Sequence, residues 1–434
     1  MSRPACIELL EHRRLFAVTP NDVLFPQEWW LQKVSVPDAW DFTTGSSKVV
    51  VNVNDSGIDY THPDLYLNIW LNQTEIPFAI GNKGLRDTDA DGLITFYDLN
   101  AKQGGKLVNG SFARDVNANG FIDGGDLLND PRWENGIDDG GNGYVDDLIG
   151  WDFHDDDNDP MDIQNHGTMC AGVIGTVGNN VEGGAGVAWR VQLMATKRTD
   201  DKGATKPGGD HVVGLYYAAD NGARVSSNSW AYFNPNKTTL KIFNDAFEYA
   251  RTKGLLIVAA AGNNGTDNDL GGRYAYYPAN SDLPNIMAVA ASTQDDQLAS
   301  FSNWGLTTVD LAAPGEGVGS TIPVYQDPAF PYQGGFAGTS VAAPFVAGAA
   351  ALLLARNPNL SYAQLKDAII SSVDPLPAFA GKTVSGGRLN IHRALSAAPA
   401  TAQTLASSRS AVFSTTRVSA VRELFATLDD TLVA

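Results

Sequence analysis

Four short stretches of this chain carry the side chains that acyl transfer by a serine requires. That chemistry needs a hydroxyl nucleophile, a base to take its proton, a carboxylate to hold the base in one tautomer, and donors for the developing oxyanion. Ser340 lies in Gly338-Thr339-Ser340-Val341-Ala342-Ala343-Pro344, and His166 in Asn165-His166-Gly167-Thr168-Met169-Cys170-Ala171-Gly172. Asp55 opens an Asp55-Ser56-Gly57 turn, and Asn263 follows Ala259-Ala260-Ala261-Gly262. Taken singly, each has a plainer reading. Thr339 or Ser340 could be a helix N-cap, Asn263 a turn residue, and Asp-Ser-Gly only a turn.

The elements that must position these groups are legible from periodicity. The β-branched run Lys48–Asn54 predicts a buried strand that delivers Asp55 at its carboxyl end. Further strands are expected at 191–194, 223–225, 255–259 and 286–289, with helices at 166–177, 208–221, 239–253, 340–356 and 361–372. Strands alternating with helices predict an α/β protein, with a central, mostly parallel sheet covered by helices on both faces. Site residues then gather at the carboxyl ends of the strands. Helix N-termini at His166 and Ser340 present free N–H groups and a positive dipole end, so the Ser340 N–H could help bind an oxyanion.

The formal charge is −19, and the stretch Asp87–Asp162 holds 19 acidic and 4 basic residues, a net of 4 − 19 = −15. A polyanionic nucleic-acid partner is excluded by repulsion. No apolar run is long enough to span a membrane, and Met1–Pro20 has no signal-peptide core. Cys6 and Cys170 are too few for a disulfide framework and are expected to be free thiols.

Within the acidic stretch the carboxylates are ordered. Asp87, Asp89, Asp91, the Leu93 carbonyl and Asp98 fall at positions 1, 3, 5, 7 and 12 of an EF-hand loop with Gly92 at 6. Asp115, Asn117, Asn119, the Phe121 carbonyl and Asp126 repeat the spacing, with Asp123 at position 9. A looser third pattern holds Asp138, Asn142 and Asp146. Structural Ca²⁺ is the cofactor these loops predict, because bound cations cancel the repulsion that opposes folding of the segment.

Taken together, the four motifs resemble the subtilase family of serine peptidases, over about Phe25 to Leu395 and in that family's order of Asp, His, Ser. The resemblance implies a subtilisin-like three-layer sandwich with a calcium-binding loop insert. It also implies a serine endopeptidase acting through an acyl-enzyme, with Ser340 as nucleophile, His166 as general base, Asp55 as its orienting carboxylate and Asn263 as oxyanion donor. Ser229, Trp230 and Ala231 match the strand that pairs with an extended peptide, and Ala261 and Gly262 a pocket wall. The third acidic loop is similar to an insert of several calcium-rich subtilases. Met169 stands where many relatives have a second histidine, and Cys170, four residues after His166, lies on the same helical face.

The expected organisation is an N-terminal extension 1–20, a catalytic domain 21–395 with the acidic insert 68–162, and a tail 396–434 with one amphipathic helix near 418–428. About 20 residues precede the domain, too few for the folding pro-domain of secreted relatives. Protein or peptide substrates, a monomer, and a secreted or cell-surface location are expected. A cytoplasmic protease and a non-cleaving peptide-binding scaffold are the alternatives, although a scaffold would be expected to have lost a member of the triad.

Overall fold

The β-branched run after Gly45 forms the middle of an 11-residue strand, Gly45–Asp55, whose last five residues are fully buried. The computed structural model describes residues 18–81, 84–200, 202–205 and 210–398. Cys6, most of the N-terminal extension and the helix expected near 418–428 lie outside the described residues.

A nine-stranded sheet organises the chain. Its order is Asp374–Pro375, Gly387–Arg388, Leu311–Pro314, Ile286–Ser292, Leu256–Ala260, Val225–Asn228, Gly45–Asp55, Arg190–Lys197 and Gly150–Asp152. Every neighbouring pair is parallel except the first, which is antiparallel. Strand order reverses at Gly45–Asp55: the next two sheet strands in the chain lie on one side and the later six on the other. In open α/β sheets such a switch point opens a crevice at the carboxyl ends, where Asp55 stands.

Side-chain alternation divides the core into layers. Val49, Val51, Val53, Leu193, Leu256, Val258 and Met287 face a large cluster with helices His166–Gly175 and Thr339–Arg356. Met194, Ile257 and Ile286 face the opposite cluster with helices Asp210–Asp220 and Lys237–Thr252. This is the expected three-layer α/β sandwich. Thr339–Arg356 is buried on nearly all sides, and the small residues Ala342, Ala343, Ala347 and Gly348 let it run close to the sheet and its neighbours. It is long and apolar enough to cross a membrane by length and composition, but it serves here as the central core helix.

Some boundaries differ from expectation. The strand expected from Ala223 begins at Val225. The helix expected from 239 begins at Lys237, because the Asn236 side chain accepts the Thr238 and Thr239 N–H groups and caps it two residues earlier.

The acidic insert is part of the same core. Ile94, Phe96, Leu99, Ile122, Leu127 and Trp133 are buried in the large cluster, and Phe121 stacks on Tyr66 at 4.1 Å. Its three acidic loops share one hydrogen-bonded skeleton. Asp87 accepts from the N–H groups of Asp91 and Gly92. Asp115 does the same with Asn119 and Gly120, and Asp138 with Asn142 and Gly143. The residue three after each aspartate, Ala90, Ala118 or Gly141, is left-handed, as are Gly92, Gly120 and Gly143. The third loop, looser as a pattern, folds as regularly as the others.

Candidate active site

Asp55 ends its strand beneath the start of helix His166–Gly175. Its Oδ1 receives the His166 Nδ1–H at 2.7 Å and the Ser56 N–H at 2.8 Å. The carboxylate side chain is 1% exposed, whereas 35% of the imidazole side chain remains open on its other edge. Burial alone would push the Asp55 carboxyl up; the His166 charge and hydrogen bond, with the nearby Arg198 charge, outweigh it and hold the group below the usual carboxylate range. Burial likewise favours neutral His166, but the Asp55 charge and hydrogen bond prevail and raise it above the ordinary histidine value. Close approach of strand and helix depends on glycine: a Cβ on Gly167 would lie 2.0 Å from the Gly57 carbonyl oxygen.

Ser340 is the second residue of the central helix. Pro344 sits four residues on and has no N–H, so the Ser340 carbonyl lacks its usual partner in that helix. Other elements satisfy it: Ser229 Oγ donates at 2.8 Å, and the Cys170 thiol lies at 3.5 Å. Atoms of Asp55, His166 and Cys170 lie within 4.8 Å of one another, so Cys170 stands against Asp55 and His166 as well as the Ser340 carbonyl. Its thiol is free and buried, and burial pushes its pKa well up.

Asn263 is fixed by its oxygen. Oδ1 accepts from the Thr339 N–H at 2.8 Å and the Thr339 hydroxyl at 2.9 Å. Two donors on Oδ1 assign the amide orientation and aim Nδ2 elsewhere. Gly338 shows where. A Cβ built there, at φ +158°, would stand 2.7 Å from Ser340 Oγ, 3.5 Å from Asn263 Nδ2 and 3.6 Å from the Ser340 nitrogen. The absent side chain leaves a small space bordered by one hydroxyl and two N–H donors.

The residues expected along the substrate edge divide in two. Ser229 and Trp230 are buried; the indole lies 4.7 Å from the His211 ring and donates to Asn228 Oδ1. Ala231 is exposed. Ala261 and Gly262 have their backbone groups bonded already, to Val289, Asn268, Thr339 and Asn303. The Ala261 side chain packs with Ala290, Val309 and Phe379. Ala261 and Gly262 can therefore shape a site without donating to a ligand.

A subtilase-family model matches residues 46–410. The chain belongs to the subtilase family. A thermophilic serine proteinase of Bacillus sp. (strain AK1) is 32% identical over 392 residues, covering 90% of this chain and 73% of the relative. Thermitase of Thermoactinomyces vulgaris is 30% identical over 380 residues, covering 87% and 99%. Among solved structures, a protease of Pseudoalteromonas arctica PAMC 21717 superposes with a TM-score of 0.57 at 25% identity, over 88% of this chain and 100% of that one. The protein is a subtilisin-like serine endopeptidase, a hydrolase acting on proteins.

This subtilase also holds acidic groups that could take a cation. In the first insert loop, oxygens of Asp87, Asp89 and Asp91 lie within 4.8 Å of one another. Asp89 also pairs with Arg190. Asp98 already accepts from Thr88 and Thr95. In the second loop Asp126 takes the N–H groups of Val116 and Asn117, while Asn117 and Asn119 turn their amides to Asp123. Burial raises Asp123 to about 6. In the third, Asp146 turns away to the N–H groups of Asn135 and Gly136. Beside this loop stand Glu75, which accepts from the Gly140 N–H, and Asp147, which accepts from the Asn142 amide.

Sequence reasoning missed these last two acids, and it missed a second acidic group far from the insert in sequence. Asp22 accepts from the Asn179 and Asn180 N–H groups, the Asn180 amide donates to Asp64, and Glu28 lies beside them. Burial pushes Asp64 and Glu28 up to about 8. Spacing could not signal this group, because its members come from the segment around Asp22 and Glu28, the turn after Asp55 and the loop after the His166 helix.

Proposed function

We propose that Ser340, His166, Asp55 and Asn263 carry out peptide-bond hydrolysis. His166 Nε2 takes the Ser340 Oγ proton as the oxygen attacks the scissile carbonyl. Asp55 holds the Nδ1–H and stabilises the imidazolium. The oxyanion forms in the space left by Gly338 and is met by the Asn263 amide and the Ser340 N–H. His166 then protonates the leaving amine, and water repeats the sequence on the acyl-enzyme. The observation that carries this reading is the donor-lined space beside Ser340 Oγ, because donors must stand where negative charge develops. An active-site fluorophosphonate tests it. Labelling of the native protein that is lost in Ser340→Ala is expected; equal labelling of the two would overturn it.

An extended peptide backbone pairs along Ser229–Ala231, with Ala261 and Gly262 forming a wall of the side-chain pocket. Structural calcium fits the site chemistry. The insert loops offer Asp87, Asp89, Asp91, the Leu93 carbonyl and Asp98; Asp115, Asn117, Asn119, the Phe121 carbonyl and Asp126; and Asp138 and Asn142, with Glu75 and Asp147 in place of Asp146. Asp22, Asp64 and Asn180 offer a further oxygen set. When bound, the ion supplies positive charge that lets neighbouring carboxylates stay ionised. A secreted or cell-surface monomer suits such sites. Activity recovered from culture supernatant rather than lysate is the expected result.

A further inference from the structure

Asp162, the last acid of the insert, is employed differently from the others. It is completely buried and stands four residues before His166. Its Oδ1 accepts from the Ser56 hydroxyl and the N–H groups of Gln164 and Asn165, at 3.0, 2.9 and 3.1 Å. Its Oδ2 accepts from the N–H and hydroxyl of Thr168, at 2.8 and 2.7 Å. Ser56 Oγ in turn accepts the Gly167 N–H at 2.8 Å, and the Ser56 N–H donates to Asp55.

The physical need for this unit is visible in the helix. The first N–H groups of a helix have no partner inside it. Here the residue before His166, Asn165, is held at φ +128° and makes no side-chain cap bond. Asp162 and Ser56 satisfy those groups instead, and a carboxylate at this end also suits the helix dipole. The backbone of 160–162 bonds to Ile58 as well, through Ile58 N–H to the Pro160 carbonyl and Asp162 N–H to the Ile58 carbonyl. One carboxylate thus joins the strand end that carries Asp55 to the helix start that carries His166, and Ser56 touches both.

We propose that Asp162, acting through Ser56, is a positioning residue that fixes the His166 imidazole in bonding distance of Asp55. This rests on the assignment of His166 and Asp55 to the triad. Misplacing a reacting group by about 1 Å can cost roughly 10²-fold, so Asp162→Asn should lower kcat by roughly that factor with KM little changed. Ser56→Ala, which leaves Asp162 its other four bonds, should lower kcat by about tenfold, on the same reasoning with a smaller displacement.

The full-length protein is measured with a chromogenic peptide amide, together with thermal melting and the far-downfield proton signal of His166 Nδ1–H. The expected result is a kcat loss per folded molecule accompanied by a shifted or broadened signal. A lower melting temperature with unchanged kcat and an unchanged signal would mean that Asp162 only stabilises the fold, and would overturn the proposal. A rise in KM alone would do the same. Ser56→Ala keeps the test decisive if Asp162→Asn does not fold. His166→Ala separates the two ideas: if it keeps both signal and activity, the triad assignment fails rather than the positioning.

Discussion

The active-site cleft and the acidic insert solve opposite electrostatic problems. At the catalytic pair charge faces its complement: Asp55 is buried against His166, with Arg198 nearby, and is held below its usual pKa. In the insert and around Asp64, carboxylates face one another and are met mainly by neutral N–H and amide groups, so burial raises Asp123 to about 6 and Asp147 and Asp64 to about 8. A preorganised site carries its counter-charges within the chain. An array of buried like charges is one that a bound cation would relieve. The first region should therefore respond to single substitutions, and the second to solution conditions.

The largest expected effect sharpens that contrast. Ser340→Ala is expected to abolish hydrolysis of a peptide substrate while leaving the melting temperature near that of the native protein. Asn263→Ala comes next, with kcat lower by roughly 10²–10³, the magnitude found when an oxyanion donor is removed from subtilisin. Gly338→Ala should act in the same direction by placing a methyl group where the oxyanion forms; unchanged steady-state kcat in that variant would remove the space from the mechanism.

The acid side of the activity profile follows from His166. Protonated imidazole cannot take the Ser340 proton, and the Asp55 interaction raises its pKa. Activity should therefore fall with decreasing pH at a midpoint above the ordinary histidine value, measured as kcat/KM against pH.

Chelation tests the other region. Glu28 and Asp64 are raised from about 4 when unfolded to about 8 when folded. Between those values the folded state keeps protons that the unfolded state has released, so the stability they contribute is present below about pH 4 and is lost as pH rises toward 8. The chelated protein should then melt lower at pH 8 than at pH 5, with calcium restoring more at pH 8. Equal calorimetric shifts at the two pH values would count against a cation at this cluster. The smallest effect is expected from Lys241→Gln, read as the melting temperature. The Lys241–Asp245 pair is exposed on both sides, and such pairs contribute about 1 kcal/mol or less.

Much of the fold was legible because strand and helix periods differ and each strand is short. The run at 48–54, the small-residue helix after His166 and the apolar helix after Ser340 all formed where their patterns placed them. The helix before Lys253 started early because a side-chain cap at Asn236, not periodicity, set its boundary. Within the candidate site, residue types and local motifs singled out Asp55, His166, Ser340 and Asn263 as candidates, and the Asp55–His166 and Asn263–Thr339 contacts are present. Gly338 as a vacant volume, Asp162 as a helix clamp and the partners of the Ser340 carbonyl were not legible, because each depends on atoms more than a hundred positions away or on space rather than a side chain.

By itself the sequence determined the chemistry available: a nucleophile, a base, a carboxylate, an amide donor and three loops of oxygen-bearing residues. It also determined the local conformations, since glycine at left-handed positions and proline inside a helix restrict the backbone whatever surrounds them. Only the tertiary structure decided which groups meet. Reversal of strand order at Gly45–Asp55 brings Asp55 under His166, and Pro344 frees a carbonyl for Ser229 and Cys170. Packing of the first residues of the domain against the loop after the His166 helix gathers Asp22, Glu28 and Asp64. Hydrogen bonds and Coulomb forces act over a few ångströms, and contacts at that range between distant segments are made by the packing of layers, which no local pattern records.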